Sequence, residues 1–187
     1  MNIFLLRHGQ TNLNAKNLIM GRTDDTLSED GLNQAQIAAQ TIANFPEEKQ
    51  IEIIYCSPLT RTKQTAQKVV DKIEKKYGKK IEVIIDPRLI EQDYGELEGT
   101  SRFSEIFATS KANFAVPTGR TGESHLRIAQ RSYNFLDEII EKNEYKNILV
   151  VTHGGILRIM KTYFMPMTND EYANYRAQNC QIDEYEI

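Results

Sequence analysis

The chain has 187 residues, 40% of them hydrophobic and 26% charged, with a formal net charge of −3. A chain of this length can bury a core without disulfide or metal support, and the composition is that of an ordinary globular protein. The acidic balance excludes a general affinity for nucleic acid or an anionic membrane surface, so any bound anion must be met by a local cluster of cations.

In chain order, residues 2–6 read as a first buried strand, ending at Arg7-His8-Gly9. A helix is expected over 29–45. Ser28 is its N-cap, Glu29 and Asp30 occupy its first turn, and Leu32, Ala35, Ala39, Ile42 and Ala43 form its apolar stripe, before Pro46 stops it. Residues 51–55 read as a second strand, and Ser57-Pro58 open a helix to about Tyr77 with Gly78 behind it. Residues 81–85 form a third strand. The least regular stretch, 86–122, follows as a candidate lid. The helix over 123–142 is expected to bury Leu126, Ala129, Tyr133, Leu136 and Ile140. Residues 147–151 form a fourth strand, another helix opens near Gly155, and "CQIDEYEI" alternates like an edge strand. The four apolar runs barely alternate, as expected of strands covered on both faces. This alternation of strand and helix predicts one α/β domain over 1–187, with a mostly parallel sheet and helices on both faces.

No run approaches membrane-spanning length, and "MNIFLLRHG" has neither a basic leader nor the apolar length of a signal peptide. The expected location is the cytoplasm. Nothing in the sequence speaks to oligomeric state. Cys56 and Cys180 show no metal or redox spacing, and Cys56, inside "IEIIYCS", reads as a small buried thiol.

In open α/β sheets, ligands bind at the carboxyl ends of the strands. Polar groups follow four of the expected strands there: Arg7-His8, then Ser57 and Arg61, then Glu91, then His153. Taken singly, each has a structural reading as a strand end, a turn, a capped helix or one acid among several. His125 reads as a surface helix residue. His8, His153 and Glu91 could ligate zinc, but two arginines in the same pocket would repel the cation. Together the set suits a phosphoryl group. Arg7 and Arg61 can each fork onto phosphate oxygens, and helix N-termini near Pro58 and Gly154 aim N–H groups at the same place. Cations beside His8 disfavour imidazolium, leaving a neutral ring able to attack. Glu91 is then the acid that protonates a leaving alcohol.

The motifs "LLRHGQTNLN", "MGRTDDTLSEDGLNQA", "CSPLTRTKQTA", "PRLIEQDYGELEG", "TGES" and "VTHGG", in that order, resemble those of the histidine phosphatase superfamily over nearly the whole chain. The resemblance implies a three-layer α/β/α sandwich and catalysis through a phosphohistidine, with no metal and no other cofactor. It makes His8 the nucleophile and Glu91 the proton donor, with Arg7, Arg61 and His153 as core phosphate ligands. Asn14 is a further phosphate contact, Met20-Gly21 brings backbone to the substrate, and Gly154 opens the helix that faces it. Gln10 stands where a glutamate is commoner, Leu97 where a tryptophan is usual, and "TGES" lacks a preceding proline–glycine. The compact spacing from Glu91 to His153 is similar to the small phosphatases of the family, which act on small phosphorylated metabolites. The alternatives are a phosphoglycerate mutase and an inactive member that binds phosphorylated ligands or protein. Segment 100–122 is expected over the leaving-group side, offering Phe103, Ile106, Phe107 and Phe114 with Arg102, Lys111 and Arg120. A packed helix with a solvated face explains those aromatics as well.

Overall fold

The computed structural model describes residues 1–111 and 113–187; Ala112, inside the stretch expected as a lid, lies outside the described residues. Five strands, β1 (Asn2–Arg7), β2 (Ile53–Cys56), β3 (Glu82–Ile85), β4 (Asn147–Thr152) and β5 (Ile182–Glu186), form one sheet in the order β3-β2-β4-β1-β5. All pairs are parallel except β1 with β5, which is antiparallel.

The missing alternation in the apolar runs has a direct cause. Ile3, Leu5, Ile53 and Val150 face one layer, which holds α5 (His125–Lys142) and α6 (Gly154–Phe164). Their neighbours Phe4, Leu6, Ile54, Leu149 and Val151 face the other, which holds α2 (Glu29–Ala43) and α3 (Thr60–Tyr77). Each layer covers one face, so every residue of β4 is buried. The result is a three-layer α/β/α sandwich. Three short helices, α1 (Asn12–Ala15), α4 (Glu105–Ser110) and α7 (Asn169–Asn174), sit in the connections.

Three expectations need correction. β3 is an edge strand that, among the described residues, pairs with β2 alone and is only partly covered: Ile84 and Val83 are half-buried against opposite layers, and Ile85 is 44% exposed. On α5 the inward stripe is His125, Ile128, Ser132, Phe135, Leu136 and Ile139, so Leu126 points outward and His125 is buried. Both phases show helical spacing, and docking Phe135 and Leu136 into the core selects this one. Finally, α3 does not start at a Ser57 cap. Asp24, distant in sequence, accepts from the Thr60 backbone N–H at 2.8 Å and the Thr60 hydroxyl at 2.7 Å, while Ser57 is engaged elsewhere.

Candidate active site

Parallel register brings the strand ends together. Arg7 pairs with Thr152 and Cys56 with Val151, so His8, Ser57 and His153 all emerge at one sheet edge. His8 Nδ1 lies 2.7 Å from the Gly9 carbonyl. A carbonyl only accepts, so the proton sits on Nδ1 and the lone pair on Nε2. Nε2 makes no hydrogen bond among the described residues and is not sealed from solvent. Burial first, then Arg61 and Arg7, holds the ring's pKa well below the usual 6.5. Asn179 donates to the His8 carbonyl at 3.0 Å, and the Gly9 N–H is fixed by Thr65 at 3.1 Å.

Beside it stands a wholly buried arginine. Arg61 donates to the carbonyls of Gly21 (2.7 Å) and Thr23 (2.9 Å), and its Nε points at His153 Nδ1 across 3.3 Å. That donor assigns the His153 proton to Nε2, which lies 2.7 Å from Ser57 Oγ. Burial, followed by Arg61, keeps this ring neutral as well. His153 meets His8 edge-on with ring centroids 5.1 Å apart. Both of its nitrogens are thus used inside the protein, so a direct bond to phosphate requires Arg61 or Ser57 to let go.

Arg7 anchors one end on the Ala177 carbonyl at 2.9 Å, and its Nε is buried without a partner among the described residues. The carboxylate of Glu91 is held by two backbone N–H groups, its own neighbour Gln92 at 2.8 Å and Gly155 at 3.1 Å. Gly155 is there for room: a Cβ on it would lie 2.5 Å from Glu91 Oε1 and 2.9 Å from the Tyr94 hydroxyl. Gly21 is equally tight, since its Cβ would meet the Gln92 carbonyl at 2.4 Å.

Of the expected site residues, Arg7, Asn14, Met20, Glu91 and Gly154 line one cleft. His8, Arg61 and His153 are buried beside it, and Gly21 adjoins Met20 as the acceptor for Arg61. The cleft also contains Tyr94, Arg102, Phe107, Lys111, Arg158 and Arg176. Sequence reasoning did not single out Tyr94, Arg158 or Arg176. Arg158 had a usable signal, lying one helical turn beyond Gly154. From segment 100–122, Arg102, Phe107 and Lys111 reach the cleft. Phe103 is 76% exposed, Ile106 is 66% exposed, Phe114 packs on His125 and Tyr172, and Arg120 pairs with Glu96 on the surface. Among the described residues no three His, Cys, Asp or Glu side chains converge as a metal site would need, and no helix is long and apolar enough to cross a membrane.

A family model described as the histidine phosphatase superfamily (branch 1) matches residues 3–187. A metal-independent phosphoserine phosphatase of Arabidopsis thaliana is 35% identical over 165 residues, covering 83% of this chain and 65% of that protein. Phosphoglycerate mutase-like protein 4 of the same plant is 33% identical over 165 residues, covering 83% and 67%. The structure of a phosphoserine phosphatase from Entamoeba histolytica in complex with 3-phosphoglyceric acid aligns with a TM-score of 0.80 at 26% identity, over 98% of this chain and 89% of that one. Sequence and fold agree along nearly the entire length, and the chain belongs to the histidine phosphatase superfamily.

Proposed function

We propose that the protein hydrolyses phosphomonoesters of small metabolites in two steps through a phosphohistidine on His8. The observation that carries the reading is the state of that ring: neutral, oriented by Gly9, with Nε2 unpartnered beside two arginines. In the first step Nε2 attacks phosphorus and the P–O bond to the alcohol breaks. Glu91 hands the leaving oxygen a proton. In the second, water attacks phosphorus, Glu91 takes a water proton, the N–P bond breaks and inorganic phosphate departs. Arg7 and Arg61 neutralise charge on the transferring group, Asn14 and the start of α6 add donors, and Met20-Gly21 closes the wall. No metal is required. The relatives named as phosphoserine phosphatases support a small phosphorylated substrate.

Rapid quench with labelled p-nitrophenyl phosphate in excess EDTA tests this directly. The unaltered chain should yield an acid-labile, base-stable phosphoenzyme, and His8→Ala should yield none. Persistence of the label in His8→Ala would refute the assignment. Interconversion of 3- and 2-phosphoglycerate faster than hydrolysis would mark a mutase instead.

A further inference from the structure

The cleft holds more basic groups than one phosphoryl group uses. Beyond Arg7, its wall carries Arg102, Lys111, Arg158 and Arg176, and among the described residues Glu91 is the one carboxylate lining it. These four come from separate places: the loop before α4, the C-cap of α4, α6, and the segment after α7. Four arginines outside the cleft are neutralised by carboxylates. Arg22 meets Asp93 and Glu123, Arg88 meets Asp86 and Glu138, Arg120 meets Glu96, and Arg131 meets Glu123. Among the described residues, none of the four cleft cations has a carboxylate within ion-pair distance.

Two of them are deeply buried in this unpaired state. Arg158 is 5% exposed, and its Nε has no hydrogen-bond partner among the described residues. Its NH2 lies 3.5 Å from His125 Nε2, and its guanidinium rests 4.8 Å over the Tyr172 ring. Lys111 is 4% exposed, with Nζ 4.7 Å above Phe107. Burial, then Arg176, Arg158 and Arg102, pushes the Lys111 ammonium down to about 7, so its neighbourhood is short of negative charge. Like charges gathered in a partly desolvated wall are costly unless an anion joins them.

We propose that Arg102, Lys111, Arg158 and Arg176 form a second anion subsite, and that the substrate is a small phosphomonoester with another anionic group, carboxylate or phosphate, on its leaving portion. The inference rests on the phosphatase reading and names the class of substrate for that site. Leu18, Ile19, Met20 and Phe107 supply apolar wall for the short carbon skeleton between the two anions. A cationic collar that merely attracts phosphates would favour no such ligand once it is bound.

Calorimetric titration of the full chain with three hydrolysis-resistant probes separates these cases: propylphosphonate, 3-phosphonopropionate and propane-1,3-diphosphonate. At least one of the two doubly anionic probes should bind about tenfold tighter than propylphosphonate, the factor expected of one hydrogen bond to a charged group. The tighter of the two tells carboxylate from phosphate. Arg176 is exposed and Arg102 half-buried, so the pair Arg102→Gln, Arg176→Gln should fold and bring the ratio close to one. Arg120→Gln, outside the cleft, should keep the preference. Equal affinity for all three probes, or no binding of any, would overturn the subsite. Hydrolysis of p-nitrophenyl phosphate is scored separately: a chain that prefers the doubly anionic probes but hydrolyses nothing refutes the phosphatase reading alone.

Discussion

Replacing Gly155 by alanine isolates the positioning of Glu91 from its chemistry. The new Cβ would stand 2.5 Å from Glu91 Oε1, where ordinary contact begins at 3.4 Å, and 2.9 Å from the Tyr94 hydroxyl. The carboxylate must therefore retreat by roughly 1 Å, a misplacement that can cost a catalytic group about 100-fold. The 3.1 Å bond from the Gly155 N–H to Oε2 would be strained in the same movement. Alanine suits a helix better than glycine by up to about 1 kcal/mol, so the backbone itself does not resist the change. Alkyl phosphates, whose alkoxide needs a proton, should lose about 100-fold in kcat, and p-nitrophenyl phosphate should lose much less. Steady-state assays on both, beside a thermal melt showing a folded variant, make the measurement. Alkyl phosphate turnover within about threefold of the unaltered chain would refute the claim that Glu91 must sit where Gly155 lets it.

Glu91→Gln should reproduce the same leaving-group asymmetry more severely and remove one limb of the pH–rate profile. Equal losses on alkyl and aryl esters would count against Glu91 as the acid. Stability should fall on acidification earlier than carboxylates alone dictate, because burial lowers the pKa of all three histidines. A base with a lowered folded pKa stabilises the fold above its unfolded value and loses that contribution as pH drops. For His125 the window runs from the usual 6.5 to about 4, which is about 3 kcal/mol. Urea melts from pH 7 to 4 should show a shallower decline for His125→Gln, and an unchanged slope would show that His125 is not held neutral.

Residues 2–6 and 147–151 announce their place in the sheet by apolar continuity alone, because a strand covered on both faces has no polar side to display. His8 and His153 are legible for a related reason. A parallel sheet gathers the ends of its strands at one edge, so polar residues just past an apolar run are brought together by topology. The local pattern does not reach contacts made between distant segments. On α5, two overlapping stripes satisfy helical spacing, and only packing against the sheet decided that His125 turns inward and Leu126 outward. The start of α3 depends on Asp24, 36 positions upstream of Thr60, and Ser57, which looks like a cap, instead accepts from His153 Nε2, the nitrogen left protonated by the Arg61 donor. Arg176 follows no strand and belongs to no motif, yet it shares a cleft with Arg102, Lys111 and Arg158. Periodicity encodes which side of an element is apolar; the company a cation keeps in the folded protein is set by long-range packing.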